Sequence, residues 1–235
     1  MERTRHSICT KYFPGRKEKL FFLAGILMLL SEIWKQLTLT FLLGHGQYNW
    51  WYFPFQLCSI PMYVLLAYHW FCSRKVRDAL HCFLMCYALL GGIAVFADTS
   101  GLHYSLGALT VHSYVWHFLL IGLGVAAGIS SLRESSCRKP CLRSFLHSTG
   151  LYLACCIAAE CFNLSFGRFG TINMFYINPD YQMQQIVFHE LSLAIGNPLA
   201  IFLYICSTVL GAFLIFCLWR CLARLPLFMG LSGDL

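Results

Sequence analysis

The stretch Leu20–Leu43, LFFLAGILMLLSEIWKQLTLTFLL, decides the fold. It is long enough to cross a hydrocarbon core, which takes roughly 20 residues in a helix. Five further apolar runs follow, over about 52–71, 79–97, 108–129, 145–164 and 199–218. Hydrophobic residues make up 58% of the chain and charged residues only 11%, well below the roughly 25% charge of a soluble domain. The expected fold is an all-α membrane protein, a bundle of six transmembrane helices forming a single domain over 20–219. A basic lead (1–19) and a short tail (220–235) flank it. Because the first run contains Glu32 and Lys35 and no small-x-small cleavage site follows it, it is expected to stay attached as a span and not to be removed as a signal peptide.

The net charge of +7 would suit nucleic acid if it lay on one soluble face, but the basic residues fall in short clusters between apolar runs. Every Lys and Arg except Lys35 and Arg168 lies in the N-terminal lead, the loop between spans two and three, the loop between spans four and five, or the C-terminal end. The positive-inside rule then places both termini in the cytoplasm and the loops after spans one, three and five outside. A multi-pass protein of the cell membrane is expected, with no nucleic-acid partner. The 13 cysteines fall mostly inside apolar runs, where they act as reduced, small packing residues.

One segment is punctuated unlike the rest: Tyr52–Tyr63, YFPFQLCSIPMY. It sets Cys58 between Pro54 and Pro61, and a helix running through it is expected to bend at Pro61, within a turn of the thiol. Ionisable groups in membrane spans are expensive and default to functional candidates. With the predicted topology, Cys58, Glu32, Lys35, His112 and His117 all fall in the middle to outer half of the bilayer, His117 roughly 13 Å from the start of its span. Asp98 and Asn163 stand at outer span ends. His112 and His117 are about 140° apart around one helix, so one can act while the other braces a neighbouring helix. Spacing does not choose between them.

A thiol beside an imidazole suits acyl transfer, because the imidazole takes the thiol proton and the thiolate attacks an ester. Set against this, a buried cysteine is commonly a small apolar filler. Glu32 and Lys35, three residues apart, share a helix face and are expected to neutralise each other. His69, Cys72, His81 and Cys82 match no closed zinc spacing, so neither metal nor cofactor is expected. Gly124 and Gly128 form a GxxxG, read as a close helix approach within the bundle. Asn197 and Pro198 are read as N-cap and first-turn proline of the last span.

The stretches FPFQLCSI, HSYVWHFLL and NLSFGRFGTINMFYINP, with SEIWKQ in the first span, resemble YwaF-type bacterial membrane proteins. That family is similar to a eukaryotic cysteine-dependent acyltransferase that remodels ether phospholipids, and more distantly to androgen-induced membrane hydrolases of fatty-acid esters. The resemblance implies a six-helix enzyme whose nucleophile is Cys58 and whose partner is His117, with His112 an additional histidine. It also implies that Asn163, Asn173 and Tyr176 order the site or the substrate head group. Gln56 stands where many relatives carry histidine. The function expected is a lipid acyltransferase working through a thioester, with phospholipid and lysolipid as partners. A hydrolase on the same site, or a transporter with Glu32, Lys35, His112, His117 and Glu160 along its path, is the alternative.

Overall fold

A computed structural model of the chain describes residues 16–71, 73–132 and 141–224, and every regular element among them is helical. The lead before residue 16, Cys72, the basic residues Arg133, Arg138 and Lys139, and the tail after residue 224 lie outside the described residues. Helix α1 (Arg16–Leu37) continues as a π-helix, Thr38–Leu43. After it come α2 (Ile60–Trp70) and α3 (Arg74–Phe83). The latter runs on through a π-helical turn, Leu84–Ala88, into α4 (Leu89–Ala94). Then follow α5 (Gly107–Leu132), α6 (Leu142–Phe166), α7 (Ile186–Ile195) and α8 (Asn197–Leu222). Five stretches are long and apolar enough to cross a membrane: Glu18–Leu43, Arg74–Ala97, Gly107–Leu132, Leu142–Phe169 and Asn197–Leu222.

The rod from Arg74 to Ala97 is the centre of the bundle. Every residue from Cys82 to Ala88 is at most 1% exposed, so this turn is covered on all sides, as only an interior helix can be. Its π-helical winding shifts the backbone bonding, and the Met85 carbonyl accepts from the Trp219 indole of α8 at 3.1 Å. Tyr87 donates to Thr149 of α6 at 2.9 Å. The GxxxG of α5 meets this rod and α8 as its spacing predicts: a Cβ on Gly124 would stand 2.7 Å from that of Leu89, and one on Gly128 would overlap the Trp219 ring. By contrast α1 lies at the edge of the bundle, with Leu20, Leu23, Leu27, Leu30, Ile33 and Leu37 exposed at helical spacing, a face suited to lipid tails. An ion pair between Glu18 and Arg77 ties the start of α1 to the start of α3.

Four expectations are corrected. The run expected as the second span is helical only from Ile60, and at about 1.5 Å per residue α2 is too short to cross alone. Pro61 stands in its first turn, where a missing N–H costs nothing, so the proline starts this helix and does not bend one at Cys58. Residues 186–195, between the expected spans five and six, form the additional helix α7, which packs on α8. Finally, Gly196, with φ 90°, occupies the N-cap position of α8. The Asn197 side chain turns away to accept from the Met183 N–H at 3.0 Å and to donate to the carbonyls of Pro179 and Tyr181.

Candidate functional site

Two segments without α-helix face each other beside α6. The first, residues 53–59, leads into α2 and carries Gln56 and Cys58. The second, residues 170–185, follows α6 and carries Asn173 and Tyr176. Irregular backbone at membrane depth is tolerated only where protein partners satisfy it, and the sequence supplies them. The Gln56 amide donates to the Asn173 carbonyl at 2.9 Å and accepts from the Phe175 N–H at 2.7 Å. Asn163, buried near the end of α6, accepts from the Met174 N–H at 2.7 Å. Its Nδ2 donates to the Glu160 carboxylate at 3.1 Å. The Asn173 carboxamide oxygen accepts from the Asn178 N–H at 3.0 Å.

Within this clasp Phe175 and Tyr176 both take left-handed backbone, φ 57° and 58°, a conformation costing about 1–2 kcal/mol for each non-glycine residue. Burial of Ile172, Met174, Phe175 and Ile177 at 0–6% exposure offsets it, at about 25 cal/mol per Å² of apolar surface removed from solvent. Phe175 stacks near Phe55 and Tyr152. Trp50 stacks on Phe166 and Phe169.

Cys58 is partly buried and forms no disulfide. It immediately precedes Ser59, the N-cap residue of α2, at the helix end that favours negative charge. The charges of Lys35 and Glu32 reach it, as do Tyr176, Tyr104 and Tyr204. The α5 residue that meets it is Trp116, whose indole donates to the Cys58 carbonyl at 3.0 Å. Among the described residues no hydrogen bond joins the thiol to His112 or His117.

The two histidines divide as the helix geometry allows. His112, on the Trp116 side of α5, shares a hydrogen bond of 2.9 Å with Ser31 of α1, and its ring lies 5.5 Å from that of Trp34. It is the brace. His117 is buried, and its Nδ1 lies 2.7 Å from the Ser113 carbonyl. A carbonyl only accepts, so Nδ1 carries the proton and the neutral ring keeps its lone pair on Nε2, the tautomer a general base requires.

On α1 the expected ion pair is present. Lys35 Nζ lies 2.9 Å from Glu32 Oε1, and Gln36 Nε2 donates to the same oxygen at 2.7 Å. Gln36 Nε2 also reaches the Tyr52 carbonyl at 2.7 Å. The charge of Glu32 extends to the loop after the π-helix, where burial and that carboxylate push the Tyr48 phenol up to about 12. Cys58 and His112 thus lie within reach of both charges of this pair, Tyr48 of its carboxylate and His117 of its lysine. Gln36 was missed from sequence. Its signal was the one-turn spacing from Glu32, which puts both on one face.

Of the ligand-type cluster near the second loop, His81 bonds the Ala127 carbonyl and Ser131, while His69 stacks on Phe22. No group of three or more His, Cys, Asp or Glu side chains suited to a metal occurs among the described residues. Compared with family models, with curated proteins and with solved structures, the chain gives no match.

Proposed function

We propose that this protein is a membrane-embedded acyltransferase acting on lipids, of the kind its YwaF-type resemblance implies, with Cys58 as nucleophile and His117 as its base. In this reading the chain crosses six times with both termini cytoplasmic, and α2 with its extended lead-in makes the second crossing. The observation that carries the proposal is the clasp around Cys58. Two residues from the thiol, Gln56 holds the Asn173 backbone, and Asn173 Nδ2 is a buried donor with no partner among the described residues. A tetrahedral oxyanion calls for such a donor.

In the first half-reaction His117 Nε2 takes the Cys58 proton and the thiolate attacks a phospholipid ester carbonyl. The C–O bond breaks as the departing alkoxide regains that proton from His117, leaving a thioester and a lysolipid. In the second, an acceptor hydroxyl gives its proton to His117 and attacks the thioester carbonyl. The C–S bond breaks and the thiolate is reprotonated. Cys58 stands at the N-terminal end of α2, where the helix dipole offsets developing negative charge on the sulfur. Catalytic hydrogen bonds commonly tighten only with substrate in place, which suits a thiol and an imidazole brought into contact by the ester between them.

The test is incubation of the membrane-reconstituted protein with phospholipid carrying a labelled acyl chain. A hydroxylamine-sensitive adduct on Cys58 and acyl transfer to lysolipid are expected. A Cys58→Ser protein that inserts normally and still transfers acyl chains at the full rate overturns the assignment.

A further inference from the structure

A cavity of about 240 Å³ lies between α1 and the start of α2, lined by Leu29, Glu32, Gln36, Leu37, Met62 and Tyr63 among others. Two of these residues bring acceptors with nothing to accept. Glu32 is only 3% exposed, and its Oε2 has no hydrogen-bond partner among the described residues, nor has Gln36 Oε1. An unpaired buried carboxylate oxygen is a large electrostatic penalty. Both oxygens sit one helical turn apart on the same face, at an otherwise apolar groove. Ile33, Leu37 and Tyr63 are exposed, so the cavity opens onto the lipid-facing side of α1.

We propose that this groove binds the glycerol end of a monoacylglycerol-type lipid, its two free hydroxyls donating to Glu32 Oε2 and Gln36 Oε1 and its single chain lying along Ile33 and Leu37. The chemistry of the donor selects it. A phosphate brings charge and no donors to two acceptors. An ammonium adds a third charge where Lys35 already balances Glu32 at 2.9 Å, in a medium that penalises excess charge. A neutral diol satisfies both oxygens without changing the charge. Its size also fits, since the cavity equals roughly eight waters at about 30 Å³ each, enough for a glycerol and the first part of a chain. The site lies on the α1 side of the Glu32–Lys35 pair and needs no reaction at Cys58.

The experiment uses the full chain in phosphatidylcholine vesicles and a monoacylglycerol bearing a diazirine in its acyl chain, with the crosslinked peptides mapped by mass spectrometry. Label is expected within residues 29–40 and 54–63, competed by unlabelled monoacylglycerol. Filling the mouth with Leu37→Trp or Ile33→Trp, or removing the charged acceptor with the paired change Glu32→Gln and Lys35→Met, should lower labelling about tenfold, the worth of one charge-assisted hydrogen bond. Leu23→Trp, equally lipid-facing on α1, should leave it unchanged. Three results overturn the proposal: undiminished labelling in both mouth variants, label spread evenly along the lipid face of α1, or a fatty amine competing as well as monoacylglycerol.

Discussion

Gln56 grips the chain on both sides of Met174, accepting from the Phe175 N–H at 2.7 Å and donating to the Asn173 carbonyl at 2.9 Å. One side-chain amide thereby holds two peptide groups of the facing segment. Gln56→Leu should lose both bonds; the Asn173 carbonyl keeps the Tyr176 N–H at 3.3 Å, but the buried Phe175 N–H is left unpaired, at about 1–3 kcal/mol. Gln56→Glu keeps the acceptor for Phe175 and should lose about half as much. Thermal unfolding of the detergent-purified protein orders the three, and equal stability of Gln56→Leu and the parent would refute the clasp.

The sequence marked Cys58 through its prolines, but the clasp holding it was beyond reading because Gln56 and Asn173 are separated by 117 residues and neither belongs to a periodic run. What was legible is what periodicity and depth encode. Five of the six long apolar runs became long helices, Gly124 and Gly128 became the close crossings, and the three-residue spacing of Glu32 and Lys35 became an ion pair. Proline was misread at Pro61 because a proline bends a helix or begins one, and only the neighbouring backbone decides. The α5 face toward Cys58 was also hidden. Trp116 takes that contact, and the 140° between the histidines separated the one that braces α1 from the one bonded to its own helix without naming which was which.

Gly128→Ala drives a methyl into the Trp219 ring, and Gly124→Ala sets one 2.7 Å from the Leu89 Cβ. Each should cost about 1–3 kcal/mol through overpacking. Gly122 on the same helix has open space within 4 Å of where an added methyl would stand, so Gly122→Ala should be neutral or stabilising by up to about 1 kcal/mol. Melting temperatures of the three variants check the contrast, and a Gly122→Ala protein as impaired as Gly128→Ala would contradict it.

Lys35→Met strands the Glu32 carboxylate, whose side chain is only 4% exposed. A loss of about 3–5 kcal/mol is expected. The double change Glu32→Gln with Lys35→Met removes both charges and should recover most of it, so the two effects will not add. A double-mutant cycle on thermal stability measures the coupling, and simple additivity would show that the pair is not coupled.

Cys141 is exposed at the N-cap position of α6, and the hydrogen bond it shares with the Ser144 hydroxyl holds its thiol below the usual thiol range. A lowered value means more thiolate at neutral pH. In a variant with Cys141 as sole cysteine, alkylation should therefore reach its plateau at lower pH than for a free thiol, and Ser144→Ala should move the profile upward. With a membrane-impermeant maleimide the same cysteine reports sidedness. Modification only after the cytoplasmic face is opened is expected, and modification in intact cells would invert the proposed topology.

The Met85 carbonyl, in the π-helical turn at the heart of the bundle, accepts from an indole 134 residues further along the chain. During synthesis the central rod therefore enters the membrane with its most buried turn uncovered, and α8, made later, closes it. Ribosome-held chains that stop before Trp219 would keep that turn open to lipid or to an insertion partner, so the bundle's quality check waits for α8.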